Sequence, residues 1–299
     1  MPEFDWIAAP HTPFAENGDL ALDVVAKQAE HLRMVGVDGV LIAGSTGEGS
    51  SLTASERRDL AARWAEAAGP LQLWVHVGHD SVREAAALAA HAAESGAHGV
   101  CAAPPSWFPI GDQEQLLSAC ADIAAAAPAL PFLYYHIPAL SRVTLPMAPF
   151  VRAARARIPN FAGVKFTHLD PLDFQAVRRE QGDACRLYWG CDEQVVTGLA
   201  LGAHGAVGST YNFAMPVYRR LQAAFERGDR DEAQRLQSYA ALLVERLAAH
   251  GYMAAAKETM RYLGVDVGSV RAPLQPLPEG GEDAVRAALE DVELQRHLA

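Results

Sequence analysis

The stretch Leu71-Gln-Leu-Trp-Val-His-Val77, then Val82-Arg-Glu-Ala-Ala-Ala-Leu-Ala-Ala-His-Ala-Ala-Glu-Ser95, then Gly96, then Gly99-Val-Cys-Ala-Ala103 decides how the chain is read. Two short apolar runs, the first rich in Val and Leu, flank an alanine-rich segment of helical composition that stops at a glycine. A strand, a helix and a second apolar strand, joined by short loops, form a parallel βαβ unit.

The same unit recurs in both directions. Strands are expected at Asp5–Ala9, Gly39–Ala43, Leu71–Val77, Gly99–Ala103, Pro131–Tyr135, Phe161–Phe166, Arg186–Trp189 and Gly205–Gly208. Helices are expected between them at 22–35, 54–68, 82–95, 113–126, 147–154, 173–180 and 194–201, with Thr53-x-x-Glu56 resembling a capping box. Eight such strands predict an α/β fold, a (β/α)8 TIM barrel. An open doubly wound sheet is the competing arrangement, weakened by the lack of Gly-x-Gly-x-x-Gly after the first strand. From Met215 the pattern is helical, near 216–227, 230–249, 252–263 and 282–297, interrupted by the extended run Arg271–Pro278. We therefore expect a barrel with the catalytic site over 1–225 and a C-terminal helical extension over 226–299.

Composition narrows the function. The 299 residues are half hydrophobic and one fifth charged, enough for a large core, and the net charge of −11 offers no basic footprint for nucleic acid or anionic lipid. Cys101, Cys120, Cys185 and Cys191 form no CxxC pair and no metal-like spacing, which suits reduced thiols. The start, Met1–Trp6, carries acids rather than an apolar leader, and no run approaches the roughly 20 apolar residues of a membrane span. A soluble, cytoplasmic protein is expected, with no metal and no other cofactor.

In a barrel of this kind, chemistry collects at the C-terminal ends of the strands. The sixth strand, Phe161-Ala-Gly-Val-Lys-Phe166, carries one lysine between Val164 and Phe166. Crowding by apolar neighbours strips hydration from a charged amine and favours the nucleophilic form that attacks carbonyls; the competing reading is a lysine reaching from a strand end to water. The fifth strand ends in Tyr134-Tyr-His-Ile-Pro138, and alternation sends one tyrosine inward beside Lys165, where its hydroxyl can relay protons, or merely pack. His136 reads as structural. The turn Gly44-Ser-Thr-Gly-Glu-Gly49 can converge N–H and hydroxyl groups on a carboxylate, or be an ordinary glycine turn; no Gly-Lys-Ser/Thr makes it a P-loop. Trp189-Gly-Cys-Asp-Glu193 and Gly208-Ser-Thr-Tyr-Asn212 bring acids and hydroxyls suited to a polyhydroxylated substrate, although Asp192 also reads as a helix N-cap.

Together, Gly44-Ser-Thr-Gly-Glu48, Tyr135-x-x-Pro138, Gly163-Val-Lys165 and Gly208-Ser-Thr-Tyr-Asn212 resemble the class I pyruvate-dependent aldolases, the family of dihydrodipicolinate synthase and N-acetylneuraminate lyase. Within it, Tyr134–Leu140, Gly47-Glu-Gly-x-Ser-Leu52, Ser55-Glu-Arg-Arg58, Leu172-Asp-Phe174 and Gly205–Asn212 look like the N-acetylneuraminate lyase branch, especially its animal-type members. The resemblance implies a Schiff base on Lys165, proton transfer by Tyr135, and cleavage of N-acetylneuraminate to pyruvate and N-acetylmannosamine. It implies that Ser45 and Thr46 hold the pyruvyl carboxylate, that Thr167, Gly190, Asp192, Glu193 and Ser209 hold the sugar chain, and that the chain assembles as a homotetramer.

Two absences argue against a dihydrodipicolinate synthase: Leu140 stands where that branch carries arginine, and Pro104–Pro109 offers Trp107 and Phe108 instead of its tyrosine. Arg142 and the run His168-Leu-Asp170 depart from the sialic-acid pattern and leave open another 2-keto acid, such as a 2-keto-3-deoxy sugar acid. A keto-acid-binding barrel without turnover is a third reading.

Overall fold

The computed structural model describes residues 4–108 and 110–298. The stretch read for a leader and the loop Pro104–Pro109 lie partly outside them.

Eight parallel strands close in sequence order into a barrel, β1 pairing with both β2 and β8. They are β1 (Asp5–Ala8), β2 (Gly39–Ile42), β3 (Gln72–His76), β4 (Gly99–Ala102), β5 (Phe132–His136), β6 (Phe161–Phe166), β7 (Arg186–Trp189) and β8 (Gly205–Gly208). Helices α1 (Val24–Val35), α2 (Ala54–Ala67), α3 (Val82–Glu94), α4 (Gln113–Ala125), α5 (Pro138–Ser141), α6 (Met147–Arg157), α7 (Pro171–Gln181) and α8 (Val195–Ala200) return the chain between strands. The expected capping box starts α2: Thr53 Oγ1 accepts from the Glu56 amide and Glu56 Oε2 accepts from the Thr53 amide.

Alternation explains why the strands are apolar on both faces. Ile7, Leu41, Trp74, Cys101, Leu133, Tyr135, Tyr188 and Val207 fill the barrel interior. Their neighbours Trp6, Val40, Val75, Val100, Tyr134, Val164, Phe166, Leu187 and Trp189 pack outward under the helices. Large and small inner positions interlock: a Cβ on Gly99 would stand 2.2 Å from the Trp74 indole. Lys165 shares the inner face of β6, so Val164 and Phe166 do not crowd it as the linear sequence suggested. They point the other way, and its burial comes from the interior residues of neighbouring strands.

The C-terminal helices are α9 (Tyr211–Glu226), α10 (Arg230–Ala248), α11 (Tyr252–Tyr262), α12 (Gly281–Asp291) and α13 (Leu294–Leu298). α9 begins five residues before the expected 216, with a non-helical break at Ala214 just ahead of Pro216, whose ring and missing N–H disturb that turn. The single helix expected over 282–297 is two, divided where Glu293 takes a left-handed φ of 50°. α7 starts at Pro171 rather than 173 because Asp170 caps it, accepting from the amides of Leu172 and Asp173 at 3.0 and 3.1 Å. No helix among the described residues is long and apolar enough to cross a membrane.

α10 is tied to the barrel rim. Gln237 accepts from the Val196 amide at 2.9 Å and donates to the Asp192 carbonyl at 3.2 Å. That docking sets α10 and the start of α11 beside the open end of the barrel.

Candidate active site

A cavity of about 440 Å³ opens at the C-terminal ends of the strands, within the roughly 300–1,000 Å³ usual for small-molecule sites. Ser45, Thr46, Tyr135, Lys165, Thr167, Gly190, Asp192, Glu193 and Ser209 all line it. Arg142 does not. It is exposed, with a left-handed φ of 59°, at the end of α5. Of the divergent run after the lysine, only Leu169 reaches the cavity; Asp170 is spent on capping α7.

Strand register makes Tyr135 and Lys165 direct partners across β5 and β6. Both are buried, and Lys165 Nζ lies 4.0 Å from the centroid of the Tyr135 ring, where the π face favours a cation. Tyr134 takes the opposite face against Phe150. His136, also outward, packs among Tyr134, Phe166 and His168 with neither ring nitrogen hydrogen-bonded, in keeping with a structural role. His76, at the end of β3, meets the Tyr135 ring edge-on with centroids 5.9 Å apart. Burial, then the charges of Arg57 and Lys165, push its imidazole down to about 3, so it stands neutral beside the tyrosine.

The loop from β2 to α2 brings Ser45 and Thr46 to the cavity. It folds back on itself through the Glu48 amide to the Ser45 carbonyl (3.1 Å) and the Gly49 amide to the Gly44 carbonyl (3.0 Å). From the loop after β1, Thr12 Oγ1 donates to the Gly47 carbonyl at 2.5 Å.

Across the cavity, Asp192 does not cap a helix. Its Oδ2 accepts from the Thr210 amide (2.8 Å) and hydroxyl (2.7 Å), a contact between β7 and β8 loops that local sequence gives no sign of. Thr210 Oγ1 also lies 2.7 Å from the Tyr218 hydroxyl; with its single proton on Asp192, Thr210 accepts from Tyr218. Among the described residues, Asp192 Oδ1 is buried without a partner. Desolvation outweighs the Thr210 bonds and pushes the carboxyl up to about 6. Thr167 Oγ1 is likewise unpaired, 2.0 Å from where a Cβ on Gly190 would stand, so the glycine makes room for that hydroxyl. Ser209 Oγ lies 2.6 Å from the hydroxyl of Tyr252. Tyr252, on α11, lines the cavity with Val244 of α10; neither carries a sequence signal beyond helical periodicity.

The four thiols are free, and burial pushes that of Cys101 up to about 12 and that of Cys191 likewise. Among the described residues no group of three or more His, Cys, Asp or Glu side chains is placed to hold a metal ion. The arrangement is a buried primary amine and a phenol side by side, a hydroxyl-bearing loop on one side, and a polar wall of Thr167, Asp192, Glu193 and Ser209 on the other.

Known proteins share this frame. The chain is 37% identical over 275 residues to N-acetylneuraminate lyase of Rattus norvegicus, covering 90% of this chain and 86% of that one. It is 35% identical to the enzyme of the same name from Homo sapiens, covering 96% and 92%. The solved structure of Proteus mirabilis N-acetylneuraminate lyase superposes with a TM-score of 0.95 at 35% identity, over 98% of this chain and all of that one. The model of the dihydrodipicolinate synthetase family matches residues 4–292, nearly the whole of the barrel and its helical extension, and the chain belongs to that family.

Proposed function

We propose that this protein is a class I aldolase, a carbon–carbon lyase that reversibly cleaves N-acetylneuraminate to pyruvate and N-acetylmannosamine through a Schiff base on Lys165. The observation that carries the reading is the buried Lys165 amine over the Tyr135 ring, paired by register, at the floor of a cavity with a polar far wall. The names of the similar enzymes support the substrate.

In this mechanism the neutral Lys165 amine adds to the C2 carbonyl, and loss of water, with a proton given by the Tyr135 phenol, leaves the protonated imine beside a phenolate. The Tyr135 phenolate takes the proton of the C4 hydroxyl as the C3–C4 bond breaks. The bonding pair flows into the protonated imine, leaving a neutral enamine on the pyruvyl half and an aldehyde on N-acetylmannosamine. Tyr135 then gives its proton to the enamine at C3, and water hydrolyses the resulting protonated imine to pyruvate and free lysine, the released proton returning to Tyr135. Ser45 and Thr46 hold the carboxylate at the start of the substrate. Thr167, the Gly190 backbone, Asp192, Glu193 and Ser209 hold the sugar hydroxyls, with Tyr252 joining them through Ser209. Orienting both halves of the bond in this way makes the cleavage effectively unimolecular.

The placement of Arg142 outside the cavity removes one motive for a different acidic substrate, since no arginine among the described residues lines it. The exposed Trp107, Phe108 and Leu140 side chains support assembly into the homotetramer expected from the resemblance. Activity is tested by following pyruvate release from N-acetylneuraminate, in the parent and in Lys165→Ala. The variant is expected to fall to background; turnover equal to the parent's would refute the mechanism.

A further inference from the structure

The loop that carries Ser45 and Thr46 is held in an unfavourable backbone. Ala43 and Glu48, on either side of these two residues, are non-glycine residues with φ of 53° and 52°, in the left-handed region. Such residues persist where their surroundings over-determine them. Glu48 does not line the cavity. Its side chain is wholly buried, with Oε1 2.8 Å from Lys257 Nζ and Oε2 accepting the Arg271 amide at 2.8 Å. Lys257, buried on α11, also donates to the carbonyls of Thr12 (2.9 Å) and Ser269 (2.7 Å). Its three donors are thereby all engaged. Thr12 in turn donates to Gly47, inside the same loop. Three segments remote in sequence thus close on the loop from behind.

A buried ion pair gains little stability over apolar packing of the same volume, so energy alone does not account for one at this point. We propose that Glu48 and Lys257 are positioning residues: their ion pair fixes the backbone that presents Ser45 and Thr46 to the keto-acid carboxylate, and makes helix α11 part of the binding apparatus. This rests on the reading above, in which that loop receives the carboxylate.

The test is pyruvate-dependent borohydride labelling of Lys165, scored by mass across a range of pyruvate concentrations. Parent, Glu48→Gln, Lys257→Met and the double variant are compared. Asp5→Asn, which breaks the Asp5–Arg186 pair at the opposite end of the barrel, is the control. The double variant leaves no uncompensated charge and guards against loss of fold in either single one. The half-saturating pyruvate concentration should rise about tenfold in the Glu48 and Lys257 variants, with the same maximal labelling, and stay within about twofold in the control. A folded double variant with the parent's half-saturation would overturn the proposal. So would a double variant that does not fold, because the pair would then serve the fold rather than the loop. An unlabelled parent would instead remove the Schiff-base reading, and this proposal with it.

Discussion

Replacing Asp192 by asparagine should favour the folded chain increasingly, relative to the parent, as pH rises from about 4 to about 6. Asp192 is buried, and its carboxyl is pushed from the ordinary 3.8 up to about 6 because desolvation exceeds the help of two bonds from Thr210. Below about pH 4 the carboxyl is protonated in both folded and unfolded chains, and its contribution is at its most favourable. Between about 4 and 6 the folded chain binds the extra proton, so stability falls as pH rises through that window. Above it both states are ionised and the full cost is present. A shift of about 2 units at 1.36 kcal/mol each is about 3 kcal/mol. The asparagine side chain would keep an oxygen for the Thr210 donors and carry no charge to desolvate. The assay is denaturant unfolding of parent and Asp192→Asn from pH 4 to 7.5, taking the difference at each pH so that other titrating groups cancel. The variant's advantage should increase by about 3 kcal/mol across the window. Parallel curves would refute the assignment of burial as the dominant influence on this carboxyl.

Gly190→Ala would set a methyl 2.0 Å from Thr167 Oγ1 and 3.2 Å from the Phe166 carbonyl. Thr167 must turn away; KM for N-acetylneuraminate should rise about tenfold, while pyruvate labelling of Lys165 is kept, with roughly 1–3 kcal/mol of stability lost. Unchanged steady-state constants would remove Thr167 from the sugar site. Tyr252→Phe deletes the hydroxyl 2.6 Å from Ser209 Oγ, and kcat/KM for N-acetylneuraminate should fall about tenfold, the worth of one hydrogen bond of roughly 1–1.5 kcal/mol. If pyruvate labelling weakens equally, Tyr252 acts on the whole site rather than on the sugar.

Much of this was legible in the residues. Each strand announced itself as a short apolar run before a helical segment, and the period of two was enough to send one of Tyr134 and Tyr135 inward, while the resemblance named Tyr135. The same period should have warned that Val164 and Phe166 cannot enclose Lys165: neighbours along a strand face away from one another. What stayed hidden was placement across the barrel. Asp192 looks like a helix cap because caps are local, whereas its partner Thr210 lies one strand and one helix later. Tyr252 sits on a helix whose apolar pattern records only that one face is buried, not that its first turn overhangs the cavity. Position in the chain left Arg142 open as a substrate ligand or a solvated side chain, and a left-handed turn at the end of α5 leaves it in solvent.

In the proposed mechanism one lysine of three forms the imine, and the sequence makes the test clean, since Lys27 and Lys257 are the only others. Borohydride is added during turnover of N-acetylneuraminate, and the protein is weighed intact and mapped by peptide. One pyruvyl-sized adduct is expected, on Lys165, with pyruvate and N-acetylmannosamine released in parallel. No adduct from either N-acetylneuraminate or pyruvate, or an adduct confined to Lys27 or Lys257, would contradict it.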